Sequence, residues 1–230
     1  MIIGSVSQTN TKLNQLTIVT PTIGSVPELL TFVLSISSLL RLEIHTDELA
    51  ESFKVCASST PPSKVEQFIL DSGSTIKWNQ LSQVLPDHIS IRFLSVSLID
   101  RNPKYIPSSI FQNLRTLSLG LLEVSFNWII QLVKTAPCLI KLKLTGLVDA
   151  DGFVVNQRWV HLLESAPRLL RIFVNLSLEQ SDESFHFEKI QAPLCALNLR
   201  LICNSNDTDC NLYYGKVNRW WNLRGMLTKQ

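Results

Sequence analysis

Trp128-Ile-Ile-Gln-Leu-Val-Lys-Thr-Ala-Pro-Cys-Leu-Ile-Lys-Leu-Lys-Leu144 is the stretch whose reading decides the fold. Its first half places Trp128, Leu132 and Val133 on one face of a helix. Pro137 then stops that helix, because proline cannot donate to the preceding turn. Its second half reads Leu139-x-x-Leu142-x-Leu144, a strand with alternate residues inward. Leu, Ile, Val, Met and Phe make up 84 of 230 residues, so roughly one window in twenty matches this apolar pattern by chance. Spacing carries the argument instead. The pattern starts at Leu13, Leu39, Val65, Ile91, Leu114, Leu139, Leu169 and Leu194, in steps of 26, 26, 26, 23, 25, 30 and 25.

An apolar pair precedes several of these starts by seven and six residues: Phe32-Val33, Val84-Leu85, Leu132-Val133 and Leu162-Leu163. Pro137, Pro167 and Pro193 stand just ahead of their motifs. Each unit therefore reads strand, loop, helix, turn. A six-residue strand cannot bury its leucines alone, but stacked units share one core.

These segments, with Trp159-Val-His-Leu-Leu-Glu-Ser-Ala-Pro-Arg-Leu-Leu-Arg-Ile-Phe-Val174, resemble leucine-rich repeats of the cysteine-containing class. Units of that class run near 26 residues and carry helix-Cys-Pro-x-Leu-x-x-Leu-x-Leu. Ala136 and Ala166 stand in place of the cysteine, and Pro21, Gly73, Ile99, Leu122 and Leu147 in place of the usual Asn or Cys after the strand. The resemblance implies an α/β leucine-rich repeat solenoid of about eight units. It would be a curved horseshoe, with a parallel concave sheet and helices on the convex side.

That class is best known from F-box proteins, in which the repeats hold a substrate for a ubiquitin ligase. An F-box opens Leu-Pro-x-Glu. Only Val26-Pro-Glu-Leu-Leu-Thr-Phe-Val-Leu-Ser35 is similar, and it sits in repeat register as the helix before Leu39. The F-box is therefore expected to be absent from this chain, which reads either as part of a longer product or as a free-standing repeat protein. An uncovered first unit at Leu13 favours the former.

Composition bounds the remaining classes. Hydrophobic residues are 45% and charged residues 17% of the chain, which excludes a disordered polymer. Leucine alone supplies 37 residues. A net charge of +2 does not suggest a nucleic-acid binder. Cys56, Cys138, Cys195, Cys203 and Cys210 are odd in number and sparse, unlike a disulfide framework. Neither a signal peptide nor an apolar run near the ~20 residues of a membrane span is found. The expected location is intracellular, cytoplasmic or nuclear.

Enzymatic patterns are few. Phe68-Ile-Leu-Asp-Ser-Gly-Ser-Thr75 resembles the active-site turn of aspartic peptidases, with Asp71 as its carboxylate. That chemistry needs a second carboxylate sharing a proton, and the turn has no second copy. It is kept as a remote alternative. No phosphate-binding loop, nucleophile elbow or zinc helix motif occurs. His186, Cys195, Cys203 and Cys210 fit no zinc spacing, Cys138 and Cys195 read as small core residues, and Asp149-Ala-Asp151-Gly152 reads as a turn. No cofactor, metal or catalytic residue is expected, and the chain reads as a non-enzyme. Trp78, Trp128 and Trp159 read as packing.

What remains is surface. Residues alternating with the core positions should line the concave face. In the first four units these carry two positive and three negative charges; in the last four, five positive and none negative. The candidate partner-binding residues are Phe93, Arg115, Ile140, Lys141, Lys143, Arg171, Phe173 and Arg200. A basic face with apolar anchors suits an acidic segment of a protein partner. Neither a membrane nor a nucleic acid is expected as partner, and a ligase adaptor only if an F-box lies upstream.

The C-terminal Tyr213 to Leu227 is aromatic and basic and reads as a cap over the end of the array. The resulting organisation is 1–12 as an N-terminal tail or partial unit, 13–202 as the repeats, and 203–230 as polar loop and cap. The expected function is protein interaction, most specifically as the substrate-recognition domain of an F-box type ubiquitin-ligase subunit. The alternative is a free-standing interaction scaffold without a ubiquitin role.

Overall fold

A computed structural model describes residues 13–23, 33, 36–49, 63–72, 77–78, 81, 90–99, 111–180, 193–197, 199–203 and 219–228. Among the described residues, nine strands form one open sheet in the order β1-β2-β3-β4-β5-β6-β7-β9-β8. They are β1 Gln15–Ile23, β2 Arg41–Leu49, β3 Gln67–Ser72, β4 Phe93–Ile99, β5 Thr116–Leu122, β6 Lys141–Asp149, β7 Arg171–Gln180, β8 Leu199–Cys203 and β9 Arg219–Thr228. Three helices have full bounds: α1 Phe126–Lys134, α2 Ala150–Phe153 and α3 Asn156–Ser165. The class is α/β.

Strands β1 to β7 are parallel neighbours in chain order. Gln15 faces Arg41, Arg41 faces Gln67, Gln67 faces Phe93, and the row continues through Thr116 and Lys141 to Arg171. These offsets reproduce the motif spacing step for step. Two recurring backbone devices hold the register. Leu39, Leu114, Leu139 and Leu169 each donate their N–H to the carbonyl three residues earlier, closing a turn before the strand. The Asn14 carbonyl then accepts both the Leu40 and Arg41 N–H groups, at 2.8 and 3.0 Å. The same fork recurs at the carbonyls of Leu40, Glu66, Arg92, Arg115 and Ile140. No strand entrance in this series leaves its donors unmet.

Pairs such as Leu42/Ile44, Leu117/Leu119 and Leu142/Leu144 are fully buried, as are Leu132 and Val133 of α1 and Trp159 and Leu162 of α3. All belong to one cluster, so the helices cover one face of the sheet. Ser125 caps α1 by accepting the Trp128 N–H at 3.3 Å, and Thr135 Oγ1 donates to the Leu132 carbonyl at 2.7 Å. Trp78, Trp128 and Trp159 are buried, as helical spacing predicts. Trp78 and Trp128 meet edge-on at 5.4 Å, a favourable aromatic geometry.

Four expectations need correction. The sheet is not parallel throughout: β9 lies antiparallel between β7 and β8. Ten residues of β9 pair with ten of β7, whereas β8 has only five and would leave half of that edge unpaired. β9 also adds Leu223 and Leu227 to the core beside Leu176 and Ile172. Second, the last unit is misframed. Residues 193–196 are helical, and Leu197, not Leu194, makes the entrance turn by donating to the Leu194 carbonyl at 2.9 Å. Apolar spacing is met by Leu194, Leu197 and Leu199, but a helix turn takes up the first of them and β8 starts only at Leu199. Third, Asp149 ends β6 and Ala150 starts α2, where a turn was expected. Gly152 lets α2 approach, since a Cβ there would stand 2.8 Å from the Phe126 Cβ. Fourth, Cys195 is exposed and Cys138 half-buried, so neither is a core residue. The peptide 26–35 is outside the described residues except Val33, which is helical and buried. Residues 1–12 and 204–218 also lie outside. No described helix is long and apolar enough to cross a membrane.

Candidate partner-binding face

The uncovered face of the sheet holds the residues that alternate with the core. Register brings four predicted residues together. Lys141 stands beside Arg171, and Lys143 beside Phe173. All four are exposed, Phe173 by 40%. An exposed aromatic ring framed by three cations is an arrangement that holds carboxylates while burying apolar surface. Ile140 is half-buried and leads into this row, and Arg115 is exposed one strand earlier. Phe93 is half-buried and faces Thr116, which in turn faces Lys141. It therefore lies two strands, or about 10 Å, from that lysine.

Arg200, which motif spacing sets beside Asn175, is separated from it by β9. It pairs with Arg224 in β9, and Arg224 pairs with Asn175 of β7. β9 brings two residues from outside the repeat motifs to the β7 side of the face. Met226 is 43% exposed and faces Phe173, and Arg224 is exposed beside Asn175. The run Leu223-Arg-Gly-Met-Leu227 does alternate as a strand should, but nothing local names β7 as its neighbour.

The opposite half of the face is occupied by a linked polar chain. Arg41 donates to Gln67 Oε1 at 3.0 Å and to Glu43 Oε2 at 2.9 Å. Glu43 Oε1 lies 3.0 Å from His45 Nε2, and Asp71 Oδ2 lies 3.3 Å from His45 Nδ1. A neutral imidazole can donate to only one of these carboxylates. Asp71, the residue of the peptidase-like turn, is thus tied to His45, while 73–76 lie outside the described residues. Among the described residues no group of three His, Cys, Asp or Glu side chains is arranged to hold a metal.

The Arg41 hydrogen bond holds the Glu43 carboxyl below its ordinary value; burial opposes this and His45 adds to it. A lowered folded value means that Glu43 stabilises the fold at pH above the ordinary carboxylate value of about 4.3, and that this is lost as pH falls through the lower folded value. Thermal unfolding of wild type and Glu43→Gln should accordingly differ at pH 7 and converge in strong acid. A gap that stays constant with pH would contradict the ion-pair account.

Compared with protein-family models, the chain matches none. Nor does a comparison with curated proteins find a match.

Proposed function

We propose that the chain is a leucine-rich repeat solenoid, a horseshoe with the strands on its concave side and the helices outside, acting as a protein-interaction module. In-register strands at near-26-residue steps and the recurring carbonyl forks support the architecture. The observation that carries the function is the adjacency of Lys141, Lys143, Arg171 and Phe173 on the uncovered face. The partner it suits is an acidic segment of another protein, and the role that best fits the repeat class is substrate recognition within an F-box type ubiquitin ligase.

Two experiments test this. Charge reversal by Lys141→Glu, Lys143→Glu and Arg171→Glu should weaken binding to the partner captured by wild type at least tenfold, while the circular dichroism spectrum stays unchanged. Unaltered binding would remove the patch from the interface. Transcript sequencing upstream of Met1 tests the ligase role. A Leu-Pro-x-Glu helical segment in frame supports it, and a native start at Met1 leaves an interaction scaffold.

A further inference from the structure

Between the entrances of β4, β5, β6 and β7 lies a cavity of about 230 Å³ lined by Arg92, Asn113, Arg115, Cys138, Ile140 and Arg168. Three of its six lining residues are arginines and none is acidic. Glu66 reaches Arg92 from outside the lining, 3.6 Å away, and offsets that charge in part. Arg168 spends one donor on Cys138 Sγ at 3.3 Å, leaving the rest of its guanidinium fork unspent on that contact. Arg115 and Arg168 are both exposed. The cavity adjoins the patch described above: Arg115 and Ile140, which line it, accept the Lys141 and Arg171 N–H groups through their carbonyls.

Charge and shape select the ligand. Among the described residues no carboxylate pairs with Arg115 or Arg168, and two such guanidinium groups exceed what a single carboxylate neutralises. A phosphate monoester carries about −1.5 to −2 at pH 7 and has three acceptor oxygens, which arginine forks engage in pairs. We infer that this pocket receives a phosphorylated side chain of the same acidic segment that lies along Lys141, Lys143 and Arg171. The inference rests on the interaction reading and adds phosphorylation as the condition for tight binding.

Two degenerate peptide libraries rich in Asp and Glu, one with a central phosphoserine and one with serine, serve as probes in fluorescence anisotropy. Wild type should bind the phosphoserine library about tenfold or more tightly, a difference of about 1.4 kcal/mol. Arg168→Gln should reduce that preference to about twofold or less, leaving serine-library affinity unchanged; Lys141→Glu/Lys143→Glu should weaken both libraries. Circular dichroism controls for folding. If both libraries bind wild type equally, or if Arg168→Gln keeps the full preference, the pocket inference falls and the face reading survives. If neither library binds, both fall; saturable shifts of the Arg168 Nε resonance by free O-phosphoserine would then assign the pocket to small phosphate monoesters and overturn the peptide source.

Discussion

Trp159→Ala should lower stability by about 3–5 kcal/mol in urea unfolding followed by circular dichroism. Its indole is fully buried and meets the Phe126 ring edge-on at 4.7 Å and the Phe153 ring at 6.2 Å. Phe126 and Phe153 themselves meet at 5.0 Å, so the three rings join α1, α2 and α3. Truncation leaves a large void and also takes the Nε1–H that donates to the Phe153 carbonyl at 2.8 Å. An acceptor stranded without water adds about 1–3 kcal/mol to such a loss. Trp159→Phe keeps a ring in place and removes the donor, so it should lose less. A cost below about 1 kcal/mol for the alanine variant would show that the cluster collapses freely, against the packing described.

Gly146→Ala is the second large effect. Gly146 has φ of 114°, a conformation that side chains with a Cβ rarely adopt. A Cβ there would also lie 2.1 Å from the Leu121 carbonyl oxygen and 2.7 Å from the Leu121 nitrogen. Those atoms are backbone of the paired strand β5, so they can move only by opening the β5–β6 ladder. Strain alone costs about 1–3 kcal/mol, and the broken contact adds to it. Gly120→Ala is the control. There the close atom is the Ser97 Oγ at 2.5 Å, and a serine side chain can rotate away. Equal losses in the two variants would refute the backbone-clash explanation.

How much of this was legible in the sequence follows from which signals are local. Equal motif positions in successive units face one another, so the neighbours Lys141 and Arg171, or Lys143 and Phe173, follow from spacing alone. The burial of Trp128 and Trp159 follows from helical period. The far end of the sheet was not legible. Leu194-x-x-Leu197-x-Leu199 satisfies the apolar pattern, yet 193–196 are helical and the turn onto the Leu194 carbonyl delays the strand to Leu199. The place of β9 depends on competition for the β7 edge, which no stretch of either strand encodes. Motif spacing therefore set Arg200 directly beside Asn175, whereas Arg224 of β9 stands between them. The arginine pocket was hidden for a related reason: Arg92, Arg115 and Arg168 come from three units, and Arg168 stands in a turn that motif spacing treats as punctuation.

The antiparallel strand β9 has one more consequence, for self-association. A strand without a neighbour offers a row of free N–H and C=O groups on which another chain can template itself. β9 occupies the outer side of β7 and holds β8 at the same time. A chain cut before Arg219 would leave both with such rows, on segments as apolar as Ile172-Phe-Val and Leu201-Ile. At the other limit of the described sheet, β1 contains Pro21, which has no N–H to offer a newcomer. With β9 in place, the margin of the described sheet is the five-residue β8 rather than the ten-residue edge of β7, a much shorter template for a second copy.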